Sequence, residues 1–131
     1  MSNPRPFDPA IERYVNVATY RRNGVEVKTP VWIAAVGDRC FAFSAGDAGK
    51  VKRIRATPRI RMAACDVRGN VKSEWINGEA RIVSDPESIA TALQALRAKY
   101  GFQMRITDLL AKLSGRFHKR AYIEITLSDV N

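Results

Sequence analysis

Only two cysteines and one histidine occur in 131 residues. Cys40 and Cys65 both fall in strand-like segments without the paired spacing of metal ligands, so reduced, partly buried thiols are expected in place of a disulfide or a zinc site. His118 stands between Phe117 and Lys119 with no histidine or glutamate at ligand spacing, which makes it a surface residue and leaves the chain without an expected metal. No apolar run approaches the roughly 20 residues that cross a bilayer. The segment Met1-Ser2-Asn3-Pro4-Arg5-Pro6 lacks the apolar centre of a signal peptide. A cytoplasmic protein with no membrane partner is therefore expected. Internal repeats, low-complexity tracts and linkers are missing as well, which points to a single domain over residues 1–131. Paired carboxylates and a nucleophilic triad are also absent. Glu74 and Asp66 are single acids at strand ends, and no catalytic residue is assigned.

Acid is scarce relative to base. Twenty-two Lys and Arg against 13 Asp and Glu give a net charge of +9, with a pI near 10.1. That balance favours an anionic partner: nucleic acid, a membrane surface or a phosphorylated small molecule. The aromatics Tyr14, Tyr20, Trp32, Phe41, Phe43 and Trp75 are spread over several elements and not interleaved with cations on one strand pair, which argues against a platform for single-stranded nucleic acid.

The most informative stretch is Phe41-Ala42-Phe43-Ser44-Ala45-Gly46-Asp47-Ala48-Gly49-Lys50-Val51-Lys52-Arg53-Ile54-Arg55. Alternating aromatics predict a strand to Ala45; two glycines let backbone N–H groups approach an anion; a helix starting near Lys50 aims its positive end at the same place. With Val51 and Ile54 turned inward, the cations form two pairs, Lys50 with Arg53 and Lys52 with Arg55, on opposite flanks. One pair can grip a given phosphate, and Lys50 with Arg53 lies nearer the loop. A solvated charged face is the alternative reading of such a run.

Along the chain, Asp8-Pro9 predicts one helical turn before Tyr14. A strand over 14–20 follows, with Val15, Val17 and Thr19 on one face; Asn23-Gly24 turns it into a second strand over 25–36. Pro30 interrupts that strand, so it belongs at an edge or a bulge. Strands over 39–45 and 59–66 follow, then a long fifth strand over 71–83 bent near Gly78. Ser84-Asp85-Pro86-Glu87 has capping-box spacing before a helix with Ile89, Leu93, Leu96 and Tyr100, which Gly101 closes. A second helix carries Phe102, Ile106, Leu109, Leu110 and Leu113, and a last strand alternates from Ala121 to Ser128. Six mostly antiparallel strands with a helical pair before the last one predict a mainly β protein, a small barrel with helices and not a βαβ sheet.

These segments also carry a resemblance. Val17-Ala18-Thr19-Tyr20-Arg21-Arg22-Asn23-Gly24, Lys28-Thr29-Pro30-Val31-Trp32, Gly49-Lys50-Val51-Lys52-Arg53 with Pro58-Arg59-Ile60, Gly78-Glu79-Ala80-Arg81 and Lys99-Tyr100-Gly101 resemble, in order, the pyridoxamine-phosphate-oxidase-like split-barrel flavoproteins, and most closely the small reductases that use deazaflavin (coenzyme F-420) or FMN. The resemblance implies a six-stranded antiparallel split β-barrel that dimerises with its cofactor at the subunit interface. It implies that Thr29, Pro30, Val31 and Trp32 lie along the flavin ring, that Phe43, Ser44, Lys50 and Arg53 hold the ribityl phosphate, and that Lys72, Ser73 and Trp75 reach in from the second subunit. Ala48, where the family has a larger polar residue, leaves part of the cradle to backbone N–H groups.

The implied activity is hydride transfer from the reduced cofactor to an electron-poor small molecule. The cofactor carries that chemistry, which accords with the missing catalytic constellation. An FMN-dependent oxidoreductase or a non-catalytic carrier of flavin or deazaflavin is the alternative, and a basic nucleic-acid-binding barrel a third reading. Deazaflavin is preferred over FMN because its anionic glutamate tail gives Lys52, Arg55 and neighbouring cations a further contact.

Overall fold

One residue, Trp32, separates the two edge strands of the sheet. In the computed structural model, which describes residues 7–128, the expected second strand is divided into β2 (Glu26–Val31) and β3 (Ile33–Val36). With β1 (Val15–Tyr20), β4 (Arg39–Ala45), β5 (Arg59–Ala64), β6 (Ile76–Val83) and β7 (Arg120–Leu127) they form one seven-stranded sheet in the order β2-β1-β5-β6-β7-β4-β3. Every neighbouring pair is antiparallel. Because the two edges are consecutive in the chain, the sheet curls until they meet at Trp32, which gives the split barrel. The count is seven strands and not six for that reason. Pro30 sits on edge strand β2 opposite Asn16, where its missing N–H costs no ladder bond on the open side.

Three helices dress the barrel: α1 (Gly49–Ala56), α2 (Pro86–Tyr100) and α3 (Phe102–Leu113), followed by a 3-10 turn over Phe117–Lys119. The barrel interior is filled by Val15, Val17, Ile33, Ile60, Met62 and Ile125, and α1 closes on it through buried Val51 and Ile54. A second apolar layer forms where Leu96, Tyr100 and Met104 of the helical pair meet Ala34, Trp32 and Phe43. Among the described residues no helix is long and apolar enough to cross a membrane, and no three potential ligands gather as a metal site. Both cysteines are free and buried. The reading of the first six residues as free of a signal peptide falls outside the described part.

The single turn expected before Tyr14 does form, over residues 8–12, where the Asp8 carboxylate accepts the Ala10 N–H at 3.0 Å. Several boundaries depart from the sequence reading. The fifth strand begins at Ile76 and not at 71, because the Ser73 hydroxyl takes the Ala64 N–H at 2.8 Å in place of a ladder partner. The N-cap of α2 is Asp85, accepting the Ser88 N–H at 2.9 Å, with Pro86 at the first helical position. The largest departure is α3. Phe102, Ile106, Leu109, Leu110 and Leu113 are 44 to 76% exposed, while Met104 and Asp108 face inward. Asp108 sets this rotation: its carboxylate meets the partly exposed Arg97 at 2.9 Å and the buried Arg120 at 2.7 Å, and turning the stripe inward would break both pairs.

Candidate functional site

Where the edges of the sheet meet, a groove of about 350 Å³ runs from Pro30, Val31 and Trp32 past Phe43 and Ser44 to Lys50. Three elements build it: the free edge of β2, the end of β4, and the first turn of α1. Tyr14, Val67 and Thr107 complete the wall. Trp32 is held on one side by Tyr100, with ring centroids 4.6 Å apart and planes 9° from parallel, and meets the Phe43 ring edge-on at 6.3 Å. The aromatic half of the groove is thus stiff, since each ring is fixed by the next.

Lys50 supplies the charge. It is half-buried, and among the described residues it makes no ion pair. Burial, and secondarily the neighbouring Arg53 charge, hold its ammonium below the ordinary lysine range. A desolvated cation without a counter-ion at the start of a helix whose N-cap, Ala48, offers no side-chain cap is what an anionic group would complement. Arg53 lies behind it. Its Nε donates to Thr19 Oγ1 at 2.7 Å, and a Cβ on Gly49 would come within 2.7 Å of Arg53 Nη1, so the guanidinium lies directly over the opening of α1.

Of the residues expected at a cofactor, Pro30, Val31, Trp32, Phe43, Ser44 and Lys50 come together in this groove. Thr29 and Arg53 adjoin it without lining it; the Thr29 hydroxyl is buried with no hydrogen-bond partner among the described residues. Lys72, Ser73 and Trp75 lie elsewhere on the same chain. Lys72 is exposed, Trp75 is half-buried with the Arg61 guanidinium 4.3 Å and the Lys28 ammonium 5.3 Å from its ring, and Ser73 is buried with its hydroxyl donating to the Glu74 carbonyl at 2.9 Å. Lys52 and Arg55 are exposed on the outer side of α1 and line neither this groove nor the cavity beside it. Sequence reasoning missed Tyr14, Val67 and Thr107. Only Thr107 had a legible signal, its place on the flank of the α3 stripe.

Comparison with known proteins places the chain. The sequence matches no curated protein. Among solved structures it is similar to the heme storage protein HutZ of Vibrio cholerae, with TM-score 0.70 and 10% identity over 92% of this chain and 84% of that one. It is similar to a conserved hypothetical protein of Mycobacterium tuberculosis, with TM-score 0.66 and 17% identity over 92% and 76%. A FAD-binding protein of Mesorhizobium loti follows, with TM-score 0.61 and 15% identity over 92% and 82%. At such identities the likeness concerns the fold. Residues 10–131 match the model of a sequence family described as pyridoxamine 5'-phosphate oxidase, and on that match over nearly its whole length the chain belongs to the pyridoxamine 5'-phosphate oxidase family.

Proposed function

We propose that the groove binds a flavin-type cofactor, deazaflavin (coenzyme F-420) in preference to FMN, and that the protein is an oxidoreductase acting on an electron-poor small molecule. The observation that carries the reading is the meeting of an unpaired, half-buried Lys50 with the open edge of β2 and the Trp32 and Phe43 rings in one groove. When bound, the reduced cofactor supplies a hydride. The chain's own residues do the rest. The open edge of β2, where Lys28 and Pro30 turn their backbone away from β1, meets the polar rim of the ring system beside Thr29 and Val31, and Trp32 and Phe43 form an apolar wall that excludes water from the ring. Lys50 and the uncapped N–H groups of α1 hold the phosphate, with Arg53 adding charge behind them.

A homodimer completes the site. The α3 stripe adjoins the groove through Thr107, so a second copy seated on it buries the exposed leucines and closes the open side. Lys72 and Trp75 of the partner subunit are then available to the cofactor, as the family resemblance implies, whereas Ser73 is buried and its hydroxyl is engaged with Ala64 and Glu74 of its own chain. The test is a pair of titrations, FMN and F-420 separately, followed by quenching of cofactor fluorescence at low and moderate ionic strength. Tighter binding of F-420 with the steeper loss in salt supports the preference. Tight FMN binding with negligible F-420 affinity reverses it, and no binding of either removes the cofactor reading.

A further inference from the structure

A second cavity, of about 870 Å³, opens beside the groove and shares Phe43, Ser44 and Thr107 with it. One of its walls is the turn Ala45-Gly46-Asp47; the other is the segment that carries Arg116, Lys119 and Arg120. Three cations thus face one acid, Asp47. Arg120 is the fixed member. Its side chain is 5% exposed, and its Nη1 donates to Asp108 Oδ1 at 2.7 Å, but the same carboxylate also accepts from Arg97 Nε at 2.9 Å. Two guanidinium groups share one carboxylate, which leaves surplus positive charge inside the wall. The Arg120 guanidinium lies 4.4 Å from the Phe43 ring and 5.0 Å from that of Phe117, contacts that position it without neutralising it. Arg116 and Lys119 are exposed and make no ion pair among the described residues.

The spacing of the two walls is built in. A Cβ on Gly46 would fall 2.2 Å from the Lys119 carbonyl oxygen, so the turn touches the cationic segment backbone to backbone in a contact that glycine alone permits. Phe43 then links the two spaces, edge-on to Trp32 in the groove and under Arg120 in the cavity.

From this we infer that the cavity is an anion subsite, receiving a carboxylate or phosphate group that belongs to the ligand of the adjacent groove or to a molecule bound beside it. The inference rests on the groove being the cofactor site and extends it: an anionic tail is met by Arg116, Lys119 and Arg120, and not by Lys52 and Arg55. A cofactor tail and an anionic substrate present the same chemistry, and the experiment separates them.

The wild type, R116A/K119A and the charge-matched control K52A/R55A are each titrated with FMN and with F-420. If the anion is a cofactor tail, R116A/K119A binds F-420 at least about tenfold more weakly with FMN affinity within about twofold of wild type, and the control is unchanged. If it belongs to a separate substrate, both cofactors bind all three proteins alike, and pyrophosphate added to the FMN-loaded protein changes the bound-FMN fluorescence saturably in wild type and control but not in R116A/K119A. Identical behaviour of all three proteins toward both cofactors and pyrophosphate overturns the subsite, as does an equal loss in the control. Should neither cofactor bind the wild type, the cofactor reading has failed by itself. Pyrophosphate titrated alone, followed through the Gly46 and Arg120 amide resonances, then decides: saturable shifts abolished in R116A/K119A uphold the subsite, and their absence overturns it.

Discussion

Tyr100 holds Trp32 in place from two directions. Its ring stacks on the indole at 4.6 Å, while its hydroxyl accepts the Ile33 N–H at 3.0 Å and donates to the Arg13 carbonyl at 2.8 Å. The residue after Trp32 is thereby tied to the end of α2. Lys99 adds to the tie, donating to the carbonyls of Pro9 at 3.1 Å and Ile33 at 2.6 Å. Tyr100→Phe keeps the stack and strands a buried N–H, so a loss of about 1–3 kcal/mol is expected in urea unfolding. Cofactor affinity should fall only slightly. Tyr100→Ala removes the stack as well and should weaken cofactor binding by more than the phenylalanine variant does.

Lys50 makes cofactor binding pH-dependent. Its ammonium loses its proton at lower pH than an ordinary lysine, mainly through burial and then through the Arg53 charge. A bound phosphate favours the charged form, so binding raises the Lys50 pKa and takes up a proton. Affinity should decline as the pH rises through the lowered pKa of the free protein. Lys50→Arg, charged throughout, should give a flat profile over the same range in fluorescence titrations.

Glu26 should show the opposite dependence in stability. Arg61 donates to both its oxygens, at 2.6 and 2.8 Å, and Tyr20 donates at 2.9 Å; these bonds, led by Arg61, hold its carboxyl down to about 2 from an ordinary 4.5. A depressed carboxylate stabilises the fold above its unfolded pKa and loses that contribution as the pH falls through its folded value. Arg61→Gln should therefore cost about 1 kcal/mol at pH 7, a modest figure because the pair is partly exposed. The gap from wild type should close between about pH 4.5 and pH 2 in urea unfolding, the window set by the two pKa values.

Light scattering at micromolar concentration is expected to return a dimer burying more than about 1,000 Å² in total. Leu110→Glu with Leu113→Glu, both on the exposed stripe of α3, should shift it toward monomer while leaving the circular dichroism spectrum unchanged. A wild-type monomer with or without cofactor would count against the proposed closure of the groove.

The strands were legible where alternation and turn chemistry agreed, as at Asn23-Gly24, whose glycine has φ 85° and whose asparagine side chain accepts the Val25 N–H at 3.0 Å. The break at Trp32 was not, because Val31 and Ile33 continue the alternation through it and only closure of the sheet divides them. The place of Lys50 was readable from local spacing: with Val51 and Ile54 buried, Lys50 lines the groove that we propose holds the phosphate, and Lys52 does not. The Arg120 cluster was not, since Asp108, Arg97 and Arg120 come from three elements and meet only in the folded chain. The α3 stripe misled for a related reason. Periodicity shows that a helix has an apolar face, while buried Asp108 decides which way it turns.

The most direct measurement is the dissociation constant of F-420, with FMN in parallel, for wild type, Lys50→Ala and Lys52→Ala. Both residues are on α1, one lining the groove and one exposed, and alanine keeps the helix in either case. A charge-assisted hydrogen bond of roughly 1.5–3 kcal/mol corresponds to a loss of about tenfold or more for Lys50→Ala, with Lys52→Ala close to wild type. Equal, small losses for both would contradict the account, reducing the basic helix to a diffuse charged surface.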